Sequence, residues 1–91
     1  MPRASESWRR IVEGYAEANA LSGQERRLLE LAVSGAHNKV IADELGLSLG
    51  TVATYWRRIF AKTGKSPQRG VLADIVQFAA SRVASGPGYE N

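Results

Sequence analysis

The middle of this chain carries basic side chains but no acidic ones. Between Leu45 and Ala73 there is no Asp or Glu, yet the segment carries five cations: Arg57, Arg58, Lys62, Lys65 and Arg69. An ordinary solvated helix face mixes both signs of charge, whereas a cluster of one sign is suited to neutralising the phosphates of a nucleic acid. The sequence therefore predicts that this segment contacts nucleic acid.

Most of these cations belong to a predicted helix over residues 49–63 that has two different faces. Spacing of the i, i+3, i+4, i+7 kind predicts its buried side, which comprises Leu49, Val52, Trp56, Ile59, Phe60 and Thr63. The opposite face has no carboxylate and comprises Gly50, Thr51, Thr54, Tyr55, Arg57, Arg58, Ala61 and Lys62. It is small or hydroxylated near its start and cationic further along, which favours docking against DNA.

A tight turn and a shorter helix precede this element. Gly46 follows an apolar helical run and can adopt the left-handed conformation that ends a helix. Ser48 has the chemistry to cap the next helix by accepting a hydrogen bond from a backbone N–H. The small Ala42 lets the two helices cross at close range. Residues 38–64 are therefore predicted to form a helix-turn-helix.

Two more helices are predicted upstream. Apolar residues recur at helical spacing in residues 5–19 and predict an amphipathic helix; they are Trp8, Ile11, Val12, Tyr15 and Ala18. Ser22 and Glu25 have the spacing of a capping box, which predicts a second helix ending near Ser34. Asn38 is then expected to cap the helix that follows.

A last helix is predicted from Pro67 to about Val83, with Ser66 as its N-cap. Its apolar surface extends past half of the circumference and needs a cover. The cover is either residues 5–19 of the same chain or a second copy, and we favour a symmetric dimer. The interface is assigned to one side of this helix, which comprises Arg69, Leu72, Val76, Ala80 and Val83.

The composition excludes several kinds of site. The chain has 91 residues, a formal net charge of +3 and no cysteine, which removes disulfides, thiolate nucleophiles and the usual structural zinc sites. His37 is the lone histidine and has no predictable catalytic companion. No apolar run approaches the roughly 20 residues that span a bilayer. We expect one small domain that is not an enzyme, without cofactor, metal or membrane partner, in the cytoplasm.

A series of motifs runs in order and without gaps through residues 21–83. It comprises Leu21-Ser22-x-x-Glu25, Gly35, Asn38-Lys39-x-Ile41-Ala42, Leu45-Gly46-Leu47-Ser48, Thr51-Val52, Arg57, Ile59-Phe60, Lys62 and Gly64. Together these motifs resemble the LuxR/FixJ/NarL-type (GerE-like) DNA-binding domain. The resemblance implies an all-α fold, a four-helix LuxR-type helix-turn-helix domain, here with an additional N-terminal amphipathic helix. In that family the third helix enters the major groove and the fourth pairs two copies.

The resemblance also implies a division of the chain and of its site. Residues 1–20 would be an N-terminal arm and amphipathic helix, residues 21–84 the DNA-binding domain, and residues 85–91 a disordered tail. The positions that would face base edges are Thr54, Arg57 and Ala53. The positions that would approach phosphates are Lys39, Ser48, Thr51, Arg58, Lys62, Lys65 and Ser66. The implied partners are double-stranded DNA, a second copy of the chain and RNA polymerase, in a bacterial nucleoid.

Two departures from the family keep an alternative open. Many members carry a basic residue where this chain has Ala53, and a histidine where it has Tyr55. A helix-turn-helix can keep its fold while losing its DNA contacts, so a protein-binding adaptor is the second hypothesis. Salt separates the two, because DNA affinity falls steeply with salt concentration while an adaptor interface responds weakly. Residues 1–20 leave no room for a sensor domain, so we expect a stand-alone regulator or a fragment of one.

Overall fold

The structure is a computed structural model that describes residues 6–84. These residues form five helices: α1 (Glu6–Ala18), α2 (Gly23–Val33), α3 (Asn38–Leu45), α4 (Leu49–Thr63) and α5 (Gln68–Ala84). The described range contains no strand, and none of its helices is long and apolar enough to cross a membrane. The predicted all-α fold with an additional N-terminal helix is confirmed. The part of the N-terminal arm before residue 6 and the disordered tail expected at residues 85–91 fall outside the described residues.

The ends of the central helices follow from local sequence. At the start of α2, the Glu25 backbone N–H donates to Ser22 Oγ at 3.1 Å, and the Ser22 N–H donates to Glu25 Oε1 at 2.8 Å. This reciprocal pair is the predicted capping box. Gly46 ends α3 and Gly64 ends α4 with φ angles of 69° and 73°, the left-handed conformation that glycine adopts at little cost.

The start of α3 differs from the prediction. Asn38 is the first residue of the helix, the N-cap position is His37, and the His37 side chain makes no capping hydrogen bond. The Asn38 side chain instead accepts a hydrogen bond from the indole Nε1 of Trp56 at 3.0 Å. A buried indole N–H needs an acceptor. The tertiary contact therefore replaces the predicted local cap and ties α3 to α4.

The start of α5 lies one residue later than predicted. The helix begins at Gln68, and the Pro67 carbonyl accepts hydrogen bonds from the N–H groups of Gly70 and Val71 at 2.8 and 3.1 Å. Accepting the first intrahelical hydrogen bond is the property of the N-cap residue. The prediction that Ser66 is the N-cap and Pro67 the first helical residue was therefore wrong by one position.

One apolar core unites all five helices. Its buried members are Val12, Tyr15, Leu28, Leu29, Ala32, Ile41, Ala42, Val52, Trp56, Ile59, Val71 and Ile75. The α1 helix packs on α2 and α5, so the same chain covers its apolar side. Ala16 of α1 is buried while Ala18 is exposed, so the prediction that placed Ala18 on the buried stripe was wrong. Ala18 is the last residue of its helix, and its side chain projects beyond the packed turns.

Tyr15 connects α1 to α5 through a polar and an aromatic contact. Its hydroxyl donates to Asp74 Oδ2 at 2.7 Å, and its ring lies edge-on to Phe78 with the centroids 5.6 Å apart. Burial, together with the hydrogen bond and charge of Asp74, raises the pKa of Tyr15 well above its ordinary value. The backbone of Gly14 also lies beside the Phe78 ring, which a Cβ at this position would meet at 3.4 Å, in ordinary van der Waals contact. The α1 helix is thereby fixed against α5.

Candidate nucleic-acid interface

The α4 helix buries one side and exposes the other. Val52, Trp56 and Ile59 are buried in the core. On the opposite side Gly50, Ala53, Arg57, Arg58, Ala61 and Lys62 are exposed. Leu49 was predicted to lie on the buried stripe, but it is 56% exposed. As the first residue of α4 it stands at the end of the helix, where the core does not reach it.

Thr54 and Arg57, two of the residues predicted to read bases, are bonded to each other. Arg57 Nη2 donates to Thr54 Oγ1 at 3.1 Å, and Thr54 Oγ1 donates to the Gly50 carbonyl at 3.2 Å. The threonine hydroxyl therefore holds the guanidinium back along the helix, one turn toward its N-terminus. Ala53 lies one turn before Arg57 on the same side and is exposed. The structure thus brings all three predicted base-reading residues to one face.

A second hydrogen-bonded pair lies at the start of α4. Ser48 Oγ accepts the backbone N–H of Thr51 at 3.1 Å, which confirms the predicted N-cap. The same Ser48 hydroxyl donates to Thr51 Oγ1 at 3.0 Å. With Ser48 as donor and Thr51 as acceptor, the Thr51 hydroxyl keeps its own proton for an external oxygen. The cap thereby presents Thr51 as a donor at the exposed end of the helix.

Tyr55 has a contact that the sequence argument did not assign. The Arg58 guanidinium carbon lies 5.5 Å from the centroid of the Tyr55 ring, within the range of a cation–π interaction. Tyr55 is half-buried while Arg58 is exposed, so the ring supports the cation from the side of the domain. The i, i+3 spacing of an aromatic residue and an arginine on one helix was the available signal.

Lys62 forms an ion pair with a buried carboxylate. Lys62 Nζ lies 2.8 Å from Glu25 Oε1, and Glu25 is only 1% exposed. Burial alone would raise the pKa of Glu25, but the hydrogen bond and charge of Lys62, with the Ser22 backbone N–H, hold it below its ordinary value. Sequence reasoning saw Glu25 only as a capping residue. The charge of Lys62 is balanced within the domain, unlike that of a simple surface cation.

The remaining predicted phosphate contacts lie outside α4. Lys39 is in the first turn of α3, and Lys65 and Ser66 lie in the link between α4 and α5. All three residues are exposed. The structure therefore leaves them accessible and draws none of them into the core.

The predicted dimer side of α5 is only partly covered by the monomer. Packing buries Val71 and Ile75 completely. On the predicted interface Arg69 and Ala80 are exposed, Leu72 is half-buried, and Val76 is 55% exposed. The side chain of Val83, the last residue of that set, lies outside the described residues. The α1 helix contacts the side of α5 that carries Phe78, while Val76 stays exposed.

Comparisons of the sequence with known proteins identify a family of regulators. The family model described as "Bacterial regulatory proteins, luxR family" matches residues 19–70, which include α2, α3 and α4. A "Monoamine regulon transcriptional regulator" of Klebsiella aerogenes is 49% identical over 43 residues, which are 47% of this chain and 19% of that protein. The "Transcriptional regulatory protein DesR" of Bacillus subtilis (strain 168) is 44% identical over 48 residues, 53% of this chain and 24% of that protein. The chain therefore aligns with less than a quarter of each relative's length. No solved structure matches at a significant level.

Proposed function

The chain belongs to the luxR family of bacterial regulatory proteins, and on that basis we propose that it binds double-stranded DNA sequence-specifically and regulates transcription, with α4 in the major groove. The observation that carries the proposal is the exposed side of α4, where Arg57 is held by Thr54 and no carboxylate is present. An arginine fixed in this way can donate two parallel hydrogen bonds to guanine O6 and N7.

Electrostatics support DNA as the partner. The carboxylate-free segment from Leu45 to Ala73 supplies cations on α4, in the following link and at the start of α5. Thr51 adds a hydroxyl donor beside the N-terminus of α4, whose free N–H groups and dipole favour an anion. Neutralising phosphates releases counterions, so binding should weaken steeply as salt rises.

We assign different roles to two sets of residues. The residues proposed to face base edges are Arg57, Thr54 and Ala53. The residues proposed to contact phosphates are Lys39, Ser48, Thr51, Arg58, Lys62, Lys65 and Ser66. Lys39, Arg58 and Lys65 are the strongest members of the second set, because all three are exposed cations. Lys62 contributes less net charge, because Glu25 accepts one of its hydrogen bonds.

We further propose that two copies bind together through α5. The exposed Val76 and half-buried Leu72 offer an apolar strip that a second copy would cover, flanked by Arg69 and Ala80. Val83 completes the set of residues assigned to this interface. A two-fold dimer would present its two α4 helices to successive major grooves, so the half-sites should lie about one helical turn apart. RNA polymerase is the partner through which such a regulator would act.

The test is DNA selection from a randomised pool, followed by affinity measurements at two salt concentrations. Arg57→Ala should cost about 1–3 kcal/mol on the selected site and relax the preference at one base pair. Lys65→Ala, the matched control, should weaken all sequences alike and lower the slope of log affinity against log salt by about one. Equal, sequence-independent losses in both variants would reduce Arg57 to a phosphate contact. Affinity for DNA that is weak and insensitive to salt would favour the protein-binding adaptor instead.

A further inference from the structure

The first turns of α4 carry an apolar surface that includes Leu49, to which the roles above assign nothing. Leu49 is 56% exposed, and its neighbours Gly50 and Ala53 are also exposed. Leu49, Ala53 and Arg57 follow one another at intervals of four residues, so they lie along one side of the helix. An apolar strip thus leads directly to the arginine proposed to read a base.

This surface is open to a partner that approaches closely. A Cβ added at Gly50 would meet only Ser48 Oγ, at 3.8 Å, so the space beside Gly50 is open. Single exposed apolar residues are common on protein surfaces. Here, however, Leu49 lies at the start of the helix whose exposed side also carries Arg57 and Arg58. In the DNA complex proposed above, Leu49 would therefore lie close to the groove that α4 enters.

Two hydroxyl groups of these turns, those of Thr54 and Ser48, are already engaged inside the chain. The Thr54 hydroxyl donates to Gly50 and accepts from Arg57. The Ser48 hydroxyl accepts from the Thr51 backbone and donates to its side chain. The side chains of Leu49 and Ala53 can recognise a base only through apolar contact. In the major groove, the thymine C5-methyl is the apolar group that base edges present.

We propose that Leu49 and Ala53 recognise the C5-methyl group of a thymine in the major groove, beside the guanine contacted by Arg57. The inference rests on the proposed DNA binding and adds a specificity-determining residue, Leu49, to it. Because Arg57 is held back over Thr54, its guanidinium lies within about 2–8 Å of Ala53 and Leu49 along the helix axis. At about 3.4 Å per base pair, the thymine should lie within one or two steps of the guanine.

Replacing single thymines by deoxyuridine tests this contact, because the substitution removes only the methyl group. Starting from the selected site, each thymine is replaced in turn and the affinity is measured by fluorescence anisotropy. One replacement, within two base pairs of the guanine, should weaken wild-type binding about fourfold. Leu49→Ala should bind the unmodified site more weakly than the wild type and lose its sensitivity to that replacement. Since Leu49 is exposed, the variant is expected to keep its fold.

Val40→Ala is the matched control, because Val40 is an exposed apolar residue on α3. This variant should keep the full sensitivity to deoxyuridine. A wild type that binds its site but tolerates every replacement would overturn the inference and leave the proposed DNA binding intact. Equal responses of Leu49→Ala and the wild type to every replacement would likewise overturn the inference and leave the proposed DNA binding intact. A wild type that shows no salt-dependent binding to any DNA would refute the proposed function itself, and this inference with it.

Discussion

Removing the amine of Lys62 should expose how much the fold depends on the ion pair with Glu25. In Lys62→Met the Glu25 carboxylate would stay buried with the Ser22 N–H but without its cation. Breaking a fully buried pair costs about 3–5 kcal/mol. The Lys62 side chain is 37% exposed, so water can replace part of the lost interaction, and we expect a loss of about 2–3 kcal/mol. For a domain of this size that lowers Tm by about 10–20 °C.

The loss should also depend on pH in a defined direction. Burial tends to raise the pKa of Glu25, and Lys62 with Ser22 more than offsets it, so the pKa in the folded wild type is lowered. The wild type therefore gains stability from Glu25 above the ordinary carboxyl pKa and loses it as pH falls through the lowered value. Without Lys62, burial should dominate and raise the pKa, so protonation relieves the penalty. The difference in unfolding free energy between the wild type and Lys62→Met should therefore become smaller as the pH falls.

Urea unfolding followed by tryptophan fluorescence at about pH 7.5 and about pH 4.5 measures both effects. Lys65→Met is the control, since an exposed lysine should contribute less than about 0.5 kcal/mol. Adding Glu25→Gln to Lys62→Met should restore part of the stability, because the amide oxygen can still accept the Ser22 N–H without carrying charge. Equal losses for Lys62→Met and Lys65→Met, or a gap that does not change with pH, would refute the reasoning.

Two further substitutions test the core and the dimer. Trp56→Ala should cost about 3–5 kcal/mol of stability, because the ring is 2% exposed and its N–H is bonded to Asn38. A thermal scan measures this loss. A variant that melts like the wild type but no longer binds DNA would show that the ring contacts DNA instead. Val76→Asp should leave a folded monomer, because a charged side chain on the exposed strip opposes burial of that strip against a second copy. Sedimentation measures the oligomeric state. A wild type that is monomeric both alone and on DNA would contradict the proposed dimer.

Several helix ends were predictable because their signals are local, although the predicted caps of α3 and α5 were wrong. Ser22 and Glu25 are three residues apart, and the capping box needs only that spacing and a helix start. Gly46 and Gly64 end their helices because a left-handed residue favours glycine in any context. The buried centre of α4 at Trp56 followed from periodicity, which is reliable where a helix has a turn on each side.

Contacts between helices were not predictable from spacing. Glu25 and Lys62 are 37 residues apart, and Asn38 and Trp56 are 18 residues apart, so each pair depends on how two helices cross. A helical wheel also assumes that the core extends along the whole helix. This assumption fails at Leu49. The first residue of a helix can have the same angular position on the wheel as the buried residues and still lie beyond the packed surface.

These internal contacts determine how α4 could discriminate between DNA sequences. The hydroxyls of Thr54 and Ser48 are engaged within the chain, and one hydrogen bond of Lys62 goes to Glu25. In the proposed complex with DNA, Arg57 would then be the principal hydrogen-bond donor toward base edges, and Leu49 with its small neighbours would form an apolar surface beside it. A helix with one strong polar contact separates sequences by only a few kcal/mol through direct contacts. The remaining preference should come from DNA shape and from the spacing of two half-sites, since both act at positions that no side chain touches.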